Sequence, residues 1–382
     1  MDFSYLTVLP RGRQIWDYVV FPEEEFEARG ARVAELLEAL GLDGLVVYSD
    51  ALSRRYVSYL TNYCNSVSWS CSICLLTGSE PPRVISSMAP RDITYNQKSL
   101  APGVELNAIG LGMLSNHAVA RKTVDYMREH GLLEKRWGGV NIGALNEEGR
   151  RALYDGLPRL PDCTDAFDRV LSRKDPAELF AISQAAALAQ KAATDYLRMA
   201  VPGSSEREIA ARIDRQMRAF GVDHIAILVS AGKDSRLCLH QPQDYIIEAG
   251  DTVSVHVDVL YLHYNGLYGG TMYRGVPDEG RAAFYRGAEE VFQGALGKMD
   301  RDRRLDGGNS LEDGYMLACG IGADTREAPV QGALETGSTV TLTMCRRSAQ
   351  YGDVLMAGTY AVDDTGIHVM GGPGVDRIFH KA

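Results

Sequence analysis

"GDTVSVHVDVLYLHYNG", residues 250–266, sets Val253, Val255, Val257 and Val259 against Thr252, Ser254, His256 and Asp258. Alternation at every second residue is the period of a β-strand with one apolar face. The other face carries an imidazole and a carboxylate two residues apart, which therefore point the same way. A strand so rich in valine belongs inside the molecule, and a His and an Asp held there need a chemical reason.

Outward from this strand, the preceding residues read as helices. Asp175-Pro-Ala-Glu178 is a capping box with proline at the first helical position, and it opens LFAISQAAALAQKAATDYLRMAV, which stops at Pro202-Gly203. A second helix starts at Ser204 to Glu206 and buries Ile209, Ile213, Met217 and Phe220. After the opening stretch come a helix from about Arg281 to Met299 and β signals from Thr339 to Met370. The first 160 residues alternate helix and strand. FPEEEFEARGARVAELLEALG buries Phe26, Val33, Leu36, Leu37 and Leu40 and ends at Gly41; DGLVVYS follows as a buried strand. HAVARKTVDYMREHG and GGVNIGAL repeat the theme, and PRLPDCTD, residues 158–165, suits a boundary. Two domains are expected, 1–160 and 161–382.

The chain has 382 residues, of which 45% are hydrophobic and 24% charged, as in an ordinary globular protein. A net charge of −10 without a basic run argues against nucleic acid or anionic membrane as partner. MDFSYLTVLPRGRQIW lacks a long apolar stretch, and nowhere do 18 apolar residues run together, so a cytoplasmic location is expected. Seven scattered cysteines make no disulfide framework. Cys71 and Cys74 form a C-x-x-C, but SWSCSICLLTG reads as a strand, whereas a redox pair needs a helix start.

LSRKDPAELFAI, then MAVPGSSEREIA, then LVSAGKDSRLCLHQPQDYIIEAGD together resemble the pita-bread domain of the creatinase and aminopeptidase P superfamily. ARVAELLEALGLDGLVVYSDALSRRYVSYLTNY resembles the smaller domain that precedes it. The resemblance implies an α/β N-terminal domain followed by an α+β pita-bread C-terminal domain. Metal-dependent peptidases of this fold hold two divalent ions through two Asp, one His and two Glu. Matched motif by motif, the first Asp position is His256, the second falls in a segment without an acid between Gly266 and Arg274, and the metal His is Cys319. The two Glu positions fall near Thr343 and Ala357. Hard divalent ions need several carboxylates, so no metal is expected, although His256, Asp258 and Cys319 offer one softer ion a partial ligand set.

Creatinase and ectoine hydrolase resemble this chain in lacking those ligands, and the resemblance implies roles. His240, in LHQPQDYIIEAGD, stands where creatinase has its acid/base histidine, and an imidazole titrating near neutrality suits that work. Arg326, in TREAPV, matches an arginine that holds a substrate carboxylate, for which a guanidinium fork is suited; the alternative is an ion pair with Glu327 or Asp324. His256 and Asp258 form a proton relay or bind polar nitrogen groups. Cys319 is a nucleophile or packing, with packing favoured. Trp69 lies in a segment that the partner subunit contributes to the creatinase site, and Tyr273 and Cys319 are assigned with it to substrate binding. His263 and Tyr264, beside Asn265-Gly266, read as turn residues.

The expectation is a cytoplasmic, homodimeric, metal-independent hydrolase of a small, carboxylate-bearing molecule, cleaving a non-peptide C–N bond in a creatinase-like way without a cofactor. In the expected dimer the N-terminal domain of one subunit lies near the partner's site. The rivals are a lyase or isomerase on the same site, and an inactive ligand-binding member of the fold.

Overall fold

A computed structural model describes residues 17–63, 70–78, 80–88, 99–109, 115–232, 239–305, 308–311, 313–324, 327, 332–372 and 378–380. The chain divides into two compact units, Met1–Leu171 and Ser172–Ala382. The break lies beyond the Pro-containing stretch because the next helix, with Phe167 and Leu171, is buried in the core of the first unit. Among the described residues no helix is long and apolar enough to cross a membrane.

In the first unit the order is α1 (Glu23–Leu40), β1 (Gly44–Asp50), α2 (Arg55–Thr61), β2 (Cys71–Thr77), β3 (Arg83–Ser87), β4 (Glu105–Ile109), α3 (Asn116–Glu129), β5 (Trp137–Val140), α4 (Glu147–Tyr154) and α5 (Thr164–Ser172). The strands form one sheet in the order β4-β3-β2-β1-β5. Helix α1 ends as its sequence dictates, with Gly41 at φ 65°, a left-handed turn that glycine adopts without strain. Leu45, Val47 and Cys74 pack against α1, α2 and α5, while Val46, Tyr48 and Cys71 pack against α3 and α4. Cys71 and Cys74 therefore project to opposite faces of β2 and cannot pair. Burial pushes the Cys71 thiol up to about 12, and Cys74 is raised further by the same cause. These are inert core residues.

The second unit opens with α6 (Pro176–Met199), whose capping box is fully made: Asp175 accepts the Glu178 N–H at 2.7 Å, and Glu178 accepts the Asp175 N–H at 3.0 Å. There follow α7 (Glu206–Ala219), β6 (His224–Gly232), β7 (Thr252–Tyr261), β8 (Tyr264–Tyr273), α8 (Glu279–Asp302), β9 (Arg304–Leu305), β10 (Gly308–Leu311), β11 (Gly314–Gly320), β12 (Gly332–Ala333), β13 (Thr339–Arg346), β14 (Val354–Val362), β15 (Ile367–Val369) and β16 (Phe379–His380). The large sheet runs β10-β11-β13-β14-β8-β7-β6. Its helix-covered face holds Val229, the four valines of β7, Met272, Val340, Leu342, Met344, Val354 and Met356, packed on the alanines of α6, on Ile209, Ile213 and Met217 of α7, and on Phe292 of α8. Each of the four valines is fully buried, an environment that contributes about 1.5 to 3 kcal/mol per side chain.

The β7–β8 hairpin has His263 in its turn, as expected, and corrects the reading of Tyr264. Its two-residue turn is Leu262-His263, with φ of 52° and 67°, and Tyr264 already belongs to β8, where Tyr261 faces it. Asn265-Gly266 is not a turn. Gly266 lies against the backbone of α6: a Cβ there would stand 2.1 Å from the Ala186 nitrogen. Asn265 donates from Nδ2 to the carbonyls of Gly322 and Ala323, at 3.0 and 2.9 Å, and so fixes the segment that follows β11.

At the start of α7, Glu206 is almost fully buried and accepts the Gln243 N–H at 3.1 Å. Burial raises its carboxyl above the ordinary range, against the Gln243 N–H and the charge of His240, which pull it down. A carboxyl raised by folding favours the folded state fully below its unfolded value, about 4.3, and that contribution is lost as pH rises through the folded one. Glu206→Gln is therefore expected to melt higher than the parent at neutral pH, with the gap closing toward pH ~4. Calorimetry across that range checks it; a variant less stable than the parent at pH 8 would refute the burial argument.

Candidate functional site

The helix-covered face leaves the opposite face of the large sheet for chemistry. Pairing register places its residues in rows. His256 stands beside Gly269, Gly269 beside Ala357, and Ala357 beside Thr343. One row away, Asp258 pairs with Leu267 on one side of the sheet, and Thr359 with Thr341, and Thr341 with Cys319, on the other. On the opposite flank lie Ser254 and Thr271. Residues at two-residue spacing share a face, so His256, Cys319, Thr343 and Ala357, four of the five positions to which the resemblance assigns a metal ligand, project to this one face.

His256 and Asp258 are the chemically able pair. The imidazole Nδ1 lies 3.8 Å from the carboxylate Oδ2, with side-chain exposures of 13% and 24%, so both are sheltered yet reachable. The valines behind them, each fully buried, fix the strand. Among the described residues, Asp258 is the sole acid in the strands of the large sheet. Beside it, Leu267, Ile321 and Ala357 form a small apolar cluster.

The other expected residues fall elsewhere. His240 makes an antiparallel bridge with Val229, with backbone hydrogen bonds of 2.9 and 3.0 Å. Residues so paired project to one side, and Val229 belongs to the helix-covered core. His240 thus sits on the face away from His256, in the field of Glu206, with Nδ1 2.9 Å from the Gln241 carbonyl. Cys319 is buried on β11, on the same face as His256, with three strands between β11 and β7. Tyr273 ends β8 under the Arg281 guanidinium, 4.1 Å from its ring centroid, and edge-on to Tyr285, both of α8. Arg326 and Trp69 lie outside the described residues. Glu327, next to Arg326, pairs with Lys174 at 2.6 Å, and that lysine is 2% exposed. Lys174 thus anchors Glu327, as Asn265 anchors Gly322 and Ala323.

The same geometry bears on a metal. Of the five positions, those at His256, Cys319 and Thr343 carry a donor atom, Ala357 carries none, and residues 267–273 hold no acid. Among the described residues no group of three or more His, Cys, Asp and Glu stands together to hold an ion. These residues do not fit a pair of hard, carboxylate-bridged ions.

Comparison with known proteins gives the relationship. Residues 181–344 match the model of Metallopeptidase family M24. The Xaa-Pro dipeptidase of Pyrococcus furiosus is 30% identical over 119 residues, which is 31% of this chain and 34% of that protein. The Xaa-Pro dipeptidase of Pyrococcus horikoshii is 31% identical over 145 residues, 37% of this chain and 40% of the other. The matched stretch therefore spans well under half the length of these two curated relatives. Over nearly the whole fold, the Xaa-Pro dipeptidase from Bacillus anthracis superposes with a TM-score of 0.70 at 19% identity, covering 93% of this chain and 100% of that one. The α/β unit followed by a pita-bread domain stands as expected.

These relatives correct the functional expectation. They are dipeptidases, and the matching family is one of metallopeptidases, so the metal-independent, creatinase-like hydrolase of a non-peptide C–N bond is set aside. The misreading has a physical source. The expectation rested on the missing carboxylates, on His240 and on Arg326, and the structure sets His240 on the face away from His256, while the capping box at Asp175 and the Pro202-Gly203 helix stop are demands of the fold and do not discriminate between its branches.

Proposed function

With residues 181–344 matching Metallopeptidase family M24, we propose that the chain is a hydrolase of the prolidase-like kind, acting on the amide bond of a short peptide held at His256 and Asp258, on the face of the large sheet away from its helices. The observation that carries the reading is the His256–Asp258 pair, 3.8 Å apart, on that face. The names of the two archaeal relatives supply the substrate class.

In this reading His256 takes a proton from the attacking water and returns it to the leaving nitrogen, and Asp258 holds the ring and stabilises its charged form. Leu267, which pairs with Asp258, flanks the peptide, backed by the fully buried Ile321 and Ala357. We also infer that Arg326 receives the substrate carboxylate and that the protein works as a homodimer.

A panel of Xaa-Pro and other dipeptides, incubated with the purified chain with and without added divalent ions and followed by mass spectrometry, tests the proposal. Release of both free amino acids from at least one Xaa-Pro dipeptide is expected. An intact panel under both conditions would end it.

A further inference from the structure

The large sheet has a seam. Strands β8 and β14 are neighbours, yet their Cα register holds one pair, Gly269 with Ala357. Gly269 has little room to spare: a Cβ would stand 3.0 Å from that of Ala357 and 3.1 Å from the Leu355 side chain. On both flanks of this pair a threonine takes over from the backbone ladder. Thr359 Oγ1 accepts the Leu267 N–H at 2.9 Å and donates to the Leu267 carbonyl at 2.9 Å. Thr271 Oγ1 accepts the Leu355 N–H at 2.8 Å and donates to the Leu355 carbonyl at 3.0 Å. Each hydroxyl satisfies both backbone groups of the residue across from it, as a ladder partner would. Ser254 Oγ, 2.8 Å from Thr271 Oγ1, ties the second clamp to β7.

The clamps bracket the site. Ser254 is two residues before His256 on the same face, and Leu267 faces Asp258. On one side of the seam stand His256, Asp258 and Leu267; on the other stand Thr343, Ala357 and Cys319. Whatever binds across this face touches two half-sheets, and their separation is set where backbone pairing is thinnest. We infer that Thr271 and Thr359 are positioning residues of the site, holding the half-sheet that carries His256 and Asp258 in register with the half-sheet opposite. Neither needs to touch substrate. The inference goes beyond the peptidase reading and does not require it.

Hydrogen exchange and the NMR titration of the His256 ring read the clamps without turnover, so their outcome is separable from that of the peptide panel. Thr359→Val keeps the shape and removes the hydroxyl; exchange at the Leu267 amide is expected to quicken by ~10-fold or more, and Thr271→Val should do the same at Leu355. Both should displace the pH midpoint of the His256 ring. Thr359→Ser and Thr271→Ser, which retain the hydroxyl, should restore exchange and midpoint to those of the parent. Valine variants that exchange and titrate like the parent would overturn the inference, as would serine variants that fail to restore either readout. If a valine variant does not fold, its serine counterpart decides: parent-like behaviour supports the clamp, and disturbed behaviour overturns it.

Discussion

Gly266→Ala is expected to destabilise the second unit by about 3 kcal/mol or more, enough to lower its melting temperature sharply or prevent folding. The added Cβ would lie 2.1 Å from the Ala186 nitrogen and 2.4 Å from the Ala185 carbonyl carbon, atoms of a helix backbone that cannot swing aside like a side-chain tip. Nor can the helix retreat as a whole. Ala185, Ala189, Ala192 and Ala193 are fully buried along the same stripe, so moving α6 outward would open the core beneath all of them. Gly30 is the internal comparison. It lies within α1, where a Cβ meets nothing within 4 Å, and Gly30→Ala should stabilise the chain by about 0.5 to 1 kcal/mol. Urea denaturation of the two variants should move in opposite directions. A Gly266→Ala protein as stable as the parent would mean that the close approach of β8 to α6 is wrong.

Much of this fold could be read where the determinant is local. Four alternating valines made β7 a strand with one buried face, and the Asp175–Glu178 box and Gly41 marked helix ends that the structure shows. Determinants that act between distant residues were hidden. Asn265-Gly266 has turn composition, yet the glycine answers to a helix some 80 residues earlier in the chain, and the turn takes the expected His263 together with Leu262 while Tyr264 belongs to the strand. The domain boundary shifted because Phe167 and Leu171 bury against α1 and α2, contacts that no local composition reports.

The same division holds for the site. His256 and Asp258 were visible because period-two spacing put them on one face. The face of His240 depends on which β6 residue it bridges, and a bridge to Val229 rather than its neighbour turns the ring to the helix side. The threonine clamps were invisible, since Thr271 and Thr359 read as ordinary strand residues until Leu355 and Leu267 are set opposite them. Substrate class was the least legible feature: helix caps and stops report the fold, and only the relatives' names pointed to peptides.

Loss of the His256 ring should have the largest effect on turnover. Proton transfer by a positioned side chain contributes ~10² to 10⁴ in rate, and it acts in the transition state. His256→Gln should therefore lower kcat by at least ~10² with KM within about threefold of the parent, because a residue that moves a proton contributes little to ground-state binding. Asp258→Asn, which keeps the shape but not the charge that favours the imidazolium, should fall between the two. The most direct measurement is the rate of amino acid release from an Xaa-Pro dipeptide by the parent and by His256→Gln, both first shown to be folded and equally stable. The account predicts cleavage by the parent and a loss of at least ~10² in kcat for the variant. A parent that leaves the peptide intact, or a variant that cleaves it at the parent's rate, would contradict it.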